Sequence, residues 1–304
     1  MTRTAESSDH RVTIIVPTYR DWARMALCLQ SLAAQTYPAS LVEILVVNNE
    51  PSDPPPHDLC APANCRILDE PKKGSYAARN TALKEATGDI LLFTDSDCIA
   101  EPDWCAQAVA FLERNPGIER FGGEIEIIPS AGGRTIAELY ESTYAFEPRK
   151  YVSRGWAPTA NMGAWRRVFK GVGPFDDDHY SGGDGEWGSR ATQLGISIGF
   201  CENALVHHPA RTLPEILRKR RRIAGAMLNR EIKKKGSVLA TARFVTGFLR
   251  HLLPPTWPIA RLAHQTSFPI RTRLLTYFFI YYMRLNVEIE RARILLLGVE
   301  PERR

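Results

Sequence analysis

The 304 residues, 44% hydrophobic and 24% charged, can bury a sizeable core and describe a globular enzyme of one large domain or two. The net charge of +5 conceals a division: residues 1–209 carry 19 Lys and Arg against 28 Asp and Glu, a net −9, whereas residues 210–304 carry 20 against 6, a net +14. Residues 1–11 are polar and predict a disordered start without a secretory signal, and the most apolar later run, 274–283, is far shorter than the roughly 20 residues of a bilayer span.

VTIIVP (12–17) is a β-branched run stopped by Pro-Thr-Tyr, and it reads as a buried strand. Asp21 is placed to cap a helix from 22 to about 35, with Trp22, Met25, Leu29 and Leu32 at helical spacing. EILVV (43–47) is a second strand with a polar exit loop over 48–53, and 66–68 a short third. Ser75 is expected to cap a helix over 76–87 closed by Gly88, before a strand at 90–94. This β-α-β-(β)-α-β order implies right-handed crossovers and a mostly parallel sheet whose exit loops gather on one edge. Further on, 121–128 reads as a strand, 134–146 has helical periodicity, and the chain from 213 is helical.

In GDILLFTDSDC (88–98) an apolar strand runs into Asp95 and Asp97. Open α/β sheets place ligands at such strand ends. Two hard carboxylates suit Mg²⁺ or Mn²⁺ completed by substrate phosphates, so a nucleoside diphosphate is the first ligand to expect; a solvated turn is the competing reading. Neither G-x-G-x-x-G after the first strand nor a P-loop occurs, so phosphate charge must be met by a metal and basic side chains. The six cysteines form no C-x-x-C pair and predict reduced thiols in a cytosolic protein, Cys60 and Cys65 being near enough in sequence to leave a pairing open.

The ordered motifs IIVPTYR, ILVVNNEPSD, KKGSYAARNTALKEATGDILLFTDSDC, TANMGAWRRVFKGVGPFD and SGGDGEW resemble a family 2 glycosyltransferase of the GT-A type over residues 12 to about 208. The resemblance implies an inverting transfer from a nucleoside-diphosphate sugar, usually uridine-linked, with a divalent cation at Asp95 and Asp97. It assigns Pro17, Thr18 and Tyr19 to the nucleotide border, and Asn48, Asn49 and Asp53 to the base loop. There the usual carboxylate is an Asn, which makes another base conceivable. Asp53 carries a turn role as an equal alternative. Arg79 falls near the base or diphosphate, Asp95 and Ser96 on the donor, and Asn161 in the strand beneath the donor sugar.

The same resemblance makes Asp184 the general base, kept ionised by a helix N-terminus, and Glu186 the acidic residue that orients the acceptor or a backbone amide. Where the family frequently has an acidic residue, this chain has Gly183. Trp156 and Trp187 are sugar platforms or core. His208 is a further metal ligand or a structural histidine, fitting the spacing better than His207.

The resulting division is a disordered 1–11, a catalytic domain over 12–209 with nucleotide (12–100) and acceptor (101–209) halves, and a basic helical region over 210–304. The cluster of Arg218, Lys219, Arg220, Arg221 and Arg222, with Lys233, Lys234 and Lys235 and interleaved apolar segments, fits an anionic membrane surface. Packing on the catalytic domain, or on another copy in a homo-oligomer, fits it as well. The enzyme is then expected in the cytoplasm or peripherally on the cytoplasmic membrane face, building a cell-surface polysaccharide or glycolipid on a glycan or lipid-linked acceptor. Two other classes compete. A sugar-nucleotide pyrophosphorylase would need a Gly-rich loop where this chain has Pro-Thr-Tyr-Arg, and a nucleic-acid-binding module would rest on the basic tail without any recognised motif.

Overall fold

The computed structural model describes residues 10–129, 135–179, 181–235 and 237–299. Most of the stretch expected to be disordered, residues 1–9, lies outside them, as do Arg134 and Tyr180. His10 and Arg11 are tied down: the His10 carbonyl accepts from the Tyr37 hydroxyl at 2.7 Å, and the Arg11 amide donates to Asp89 Oδ2 at 3.2 Å.

Among the described residues eight strands share one sheet: β1 (Val12–Thr18), β2 (Val42–Asn48), β3 (Cys65–Asp69), β4 (Ile90–Thr94), β5 (Ile99–Ala100), β6 (Arg120–Ile128), β7 (Asn161–Trp165) and β8 (Ile198–Pro209). Their order is β3-β2-β1-β4-β7-β6-β8-β5. β1 runs parallel to β2 and β4, as the alternation of strand and helix requires, and β2 runs parallel to β3 across a connection without a helix. Beyond β4 the pairing turns antiparallel, β4 to β7, β7 to β6, and β5 to β8. β1 and β4 are buried along their whole length, which explains their unbroken apolar runs.

Helices α1 (Trp22–Ala33), α2 (Ser75–Glu85) and α3 (Trp104–Arg114) follow the strands of the first half. Three expected helix ends are corrected. Asp21 caps α1 only through its carbonyl, which accepts from the Met25 amide at 3.0 Å, while its carboxylate lies 3.5 Å from Arg24. Gly74, at φ 134°, occupies the cap of α2, so Ser75 is already helical. Gly88 does not close that helix, which ends at Glu85. Its absent side chain instead admits β1: a Cβ there would stand 2.5 Å from the Thr13 amide nitrogen.

The short helices α4 (Ile136–Tyr140) and α5 (Pro148–Val152) precede β7, and α6 (Arg166–Val172) and α7 (Gly183–Gln193) precede β8. α4 begins after Thr135 because Thr135 and Glu138 form a reciprocal capping box, the signal T-x-x-E. The chain forms two compact units. The first comprises 1–126, 147–178 and 183–208, and its core packs Phe93, Met162, Phe169, Phe175 and Trp187 with the inner residues of the parallel strands.

The second unit comprises 127–146, 179–182 and 209–304, so it takes in 127–146 besides the expected tail. It contains α4 and the helices α8 (Leu213–Lys235), α9 (Ser237–His251), α10 (Trp257–His264) and α11 (Ile270–Leu297). Leu139, Tyr140, Ile216, Leu262, Ile280 and Met283 form its core. The Arg-rich segment is largely taken up inside this unit. Arg220 donates to the Tyr140 hydroxyl, Arg221 to Asn286 Oδ1 at 2.8 Å, and Lys219 lies over the Phe146 ring. No helix among the described residues is long and apolar enough to cross a membrane.

Candidate active site

The exit loops of β1 and β2 are clipped together. Arg20, held at φ 51° where a side chain is strained, turns the chain out of β1 and pairs with Glu50 at 3.2 Å. Pro17 and Thr18 are buried at this edge, and Tyr19 is half-buried with the Arg20 guanidinium 5.4 Å from its ring centre. Thr18 Oγ1 is buried without a protein partner.

Asp95, Ser96 and Asp97 form the turn between β4 and β5, closed by the Cys98 amide donating to the Asp95 carbonyl at 3.0 Å. The antiparallel register sets Ile99 opposite His207, which brings His208 beside the turn. Strand alternation then separates the two histidines. His208, fully buried, has Nε2 3.4 Å from Asp97 Oδ2, whereas His207 meets Glu101 at 2.5 Å and Glu126 at 3.4 Å. Ligand atoms of Asp97, Cys98 and His208 lie within 4.8 Å of one another. A carboxylate oxygen suits Mg²⁺ or Mn²⁺, and an imidazole nitrogen beside it suits Mn²⁺, either ion leaving several positions to phosphate oxygens; the soft sulfur of Cys98 suits neither. Asp95 is outside this group, its Oδ1 bonded to Arg79 Nη2 at 2.5 Å.

Arg79 is nearly inaccessible, at 3% side-chain exposure, and its Nε is without a protein partner. Its guanidinium sits 5.6 Å from the centre of the Tyr76 ring, one turn earlier on α2. The Tyr76 hydroxyl donates to Asp184 Oδ1 and accepts from the Asp184 amide, both at 3.2 Å. The same Asp184 oxygen accepts from the Gly185 amide at 2.9 Å in the first turn of α7. Asp95, Arg79, Tyr76 and Asp184 thus form one connected chain of polar contacts.

Burial pushes the Asp184 carboxyl above the usual carboxylate range; the Gly185 amide, Arg79 and Tyr76 pull it back, and Asp95 adds to the rise. The helix N-terminus expected to keep it ionised is outweighed by desolvation, which makes it a better proton acceptor. Tyr76, absent from the sequence expectations, reaches Asp184 because position 183 is glycine. A Cβ on Gly183 would stand 2.7 Å from the tyrosine ring.

Several expected ligands have other work. Asn48 and Asn49 are buried and organise their own loops: Asn48 donates to the Asp53 carbonyl at 3.2 Å and accepts from the Glu50 amide, and Asn49 donates to the carbonyls of Glu70 and Lys72 and accepts from the Gly74 amide. Asp53 serves the turn, its carbonyl also accepting from Trp22 Nε1 at 3.1 Å. Glu186 grips Arg190 at 2.8 Å, and Arg190 in turn ties α7 to the carbonyls of Val172 and Pro174. Trp187 is core, stacked on Phe169 at 4.4 Å, and Trp156 stacks on Tyr151 at 4.3 Å.

Asn161, expected beneath the donor sugar, likewise has its side chain engaged within the protein: it accepts from Trp104 Nε1 at 2.9 Å and donates to the carbonyls of Glu124 and Ala204. Asn161→Ala removes a buried partner from all three groups and is expected to cost about 2–4 kcal/mol in denaturant unfolding. A loss within 0.5 kcal/mol of wild type would contradict this role.

The family model described as Glycosyl transferase family 2 matches residues 13–125. The chain is 36% identical over 218 residues to "Glycosyltransferase AglE" of Haloferax volcanii, covering 70% of this chain and 71% of that protein. A shorter match, 32% over 123 residues and 40% and 47% of the two chains, is to "UDP-Glc:alpha-D-GlcNAc-diphosphoundecaprenol beta-1,3-glucosyltransferase WfgD" of Escherichia coli. Among solved structures, the mannosyltransferase PcManGT from Pyrobaculum calidifontis in complex with GDP-Man and Mn²⁺ aligns with a TM-score of 0.58 at 20% identity, over 97% of this chain and 89% of that one. TarS 1–349 of S. aureus in complex with UDP-GlcNAc aligns with a TM-score of 0.51 at 19% identity, over 93% and 91%. These likenesses show the GT-A fold.

Proposed function

The chain belongs to glycosyl transferase family 2, and on that premise we propose that it transfers a sugar, with inversion, from a nucleoside-diphosphate donor to a hydroxyl of a glycan or lipid-linked acceptor. The product is a polysaccharide or glycolipid of the cell surface, made in the cytoplasm or peripherally at the cytoplasmic membrane face. The observation that carries this reading is the chain of contacts from Asp95 through Arg79 and Tyr76 to Asp184, which joins the diphosphate side of the site to a poised base.

Asp97 and His208 would hold the divalent ion, and Arg79 reaches the same turn through Asp95. When bound, such an ion would supply positive charge to the departing diphosphate. Asp184 accepts the acceptor hydroxyl's proton through Oδ1 or Oδ2 as that oxygen attacks the anomeric carbon, and the Tyr76 hydroxyl keeps the carboxylate aimed. The preferred first donor is a UDP-sugar, for which the family resemblance speaks. With Asn48 and Asn49 taken up by their loops, GDP belongs in the same test. A thermal-shift panel of UDP and GDP with and without Mn²⁺, followed by assay of nucleoside diphosphate released in the presence of acceptor, tests the proposal. No stabilisation by any nucleoside diphosphate would sink it.

Tyr76→Phe keeps the ring under Arg79 and removes only the hydroxyl. Turnover is expected to fall about ten-fold with donor KM unchanged. The hydroxyl's bond favours the ionised Asp184, so its loss raises that carboxyl further and moves the acid limb of kcat to higher pH. A merely structural tyrosine would lower Tm and leave the limb in place.

A further inference from the structure

Between Glu231 and Glu288 the sequence contains nine Lys and Arg and no Asp or Glu. This acid-free segment supplies α9, α10 and most of α11, and it carries a concentration of exposed large apolar side chains. On α11, Ile270, Leu274, Phe278 and Tyr282 follow one another at intervals of four residues and are each about half exposed or more, a stripe about 18 Å long on one side of the helix. The turn after α9 lies beside its C-terminal end. The Tyr281 hydroxyl donates to the Leu252 carbonyl at 2.5 Å and Arg284 to the Arg250 carbonyl at 3.1 Å, which sets exposed Leu253 next to the stripe. At the other end, Arg273 donates to the Ala263 carbonyl at 2.9 Å and joins α10, with its exposed Trp257, to the start of α11.

We infer that this face of the second unit lies on an anionic lipid surface. Exposed apolar side chains enter the headgroup boundary while Arg250 and Arg271, both exposed, meet lipid phosphates. The absence of any carboxylate over the segment removes the repulsion such a surface would otherwise meet. This places the contact on α9–α11, away from the Arg-rich start of α8, whose Arg220 and Arg221 are engaged within the unit. A nucleic acid would find an apolar stripe where it needs a basic one. Among the described residues no helix is long and apolar enough to cross a membrane, and the contact inferred is at the surface alone.

Sedimentation of the full chain with vesicles of phosphatidylglycerol and phosphatidylcholine, against phosphatidylcholine alone, tests the inference without any nucleotide, so its failure and that of the transferase reading are separable. The chain should bind the anionic vesicles at least about ten-fold more tightly, and less as salt rises. Leu274→Glu with Phe278→Glu, both exposed and thus compatible with an unchanged Tm, should weaken binding about ten-fold or more. Leu27→Glu, exposed on α1 of the first unit, should not change it. Wild-type protein left in the supernatant at low salt overturns the inference. So does undiminished binding by the double variant. A wild-type dimer that the double variant converts to monomer, with no vesicle binding by either, assigns the face to a second copy of the chain and overturns it too.

Discussion

Asp184→Asn is expected to lower turnover by about 10²-fold or more while leaving donor affinity close to wild type. The amide keeps the size of the carboxylate, and its carbonyl still accepts from the Gly185 amide and the Tyr76 hydroxyl. What it loses is the ability to take a proton. For the wild type, burial raises this carboxyl above the usual carboxylate range, and a base must be ionised to act. Activity should therefore fall with decreasing pH on a limb that lies above that range, and Asp184→Asn should abolish the limb along with the rate. One base facing one leaving group permits a single in-line displacement, so NMR of the product should show the anomeric configuration opposite to the donor's. Retained configuration, or near-normal turnover by folded Asp184→Asn, would overturn the mechanism.

The strands were legible because continuous β-branched runs such as VTIIVP and EILVV have no other stable use at that length. The carboxylate motifs were legible because they follow those runs in a fixed order. The partners of those carboxylates were not. Tyr76 and Asp184 are 108 residues apart in the sequence, and nothing local to GSYAARN announces a hydroxyl aimed at a later helix. Asn48 and Asn49 illustrate a different loss. An Asn in an exit loop offers both a donor and an acceptor, and the backbone groups of its own turns compete for them ahead of any ligand. Two signals did stand in the sequence. Glu186 and Arg190 are four apart on a helix, a spacing that predicts their ion pair, and T-x-x-E at 135–138 predicts where α4 begins. The spacing already favoured His208 over His207, and the β5–β8 register supplied the physical reason by giving each a face of the sheet.

Removing the metal site should act on the donor where removing Asp184 acts on the proton. Chelation with EDTA is expected to weaken nucleoside-diphosphate binding, read by calorimetry, and to lower turnover by about two orders of magnitude, with Mn²⁺ or Mg²⁺ restoring both. Asp97→Ala should reproduce the loss and make the protein indifferent to added metal, since its carboxylate and the buried His208 imidazole are the oxygen and nitrogen donors gathered there. The two aspartates of the motif should then separate by stability. Asp95 is the acidic partner of Arg79, whose guanidinium is almost wholly buried, so Asp95→Ala strands a cation inside the protein and should lower Tm more than Asp97→Ala does. The opposite order of Tm values would mean that Arg79 draws its compensation elsewhere. Equal affinity and equal turnover with and without EDTA would remove the ion from the reaction, leaving Arg79 and the loop around Thr18 to carry the diphosphate's charge.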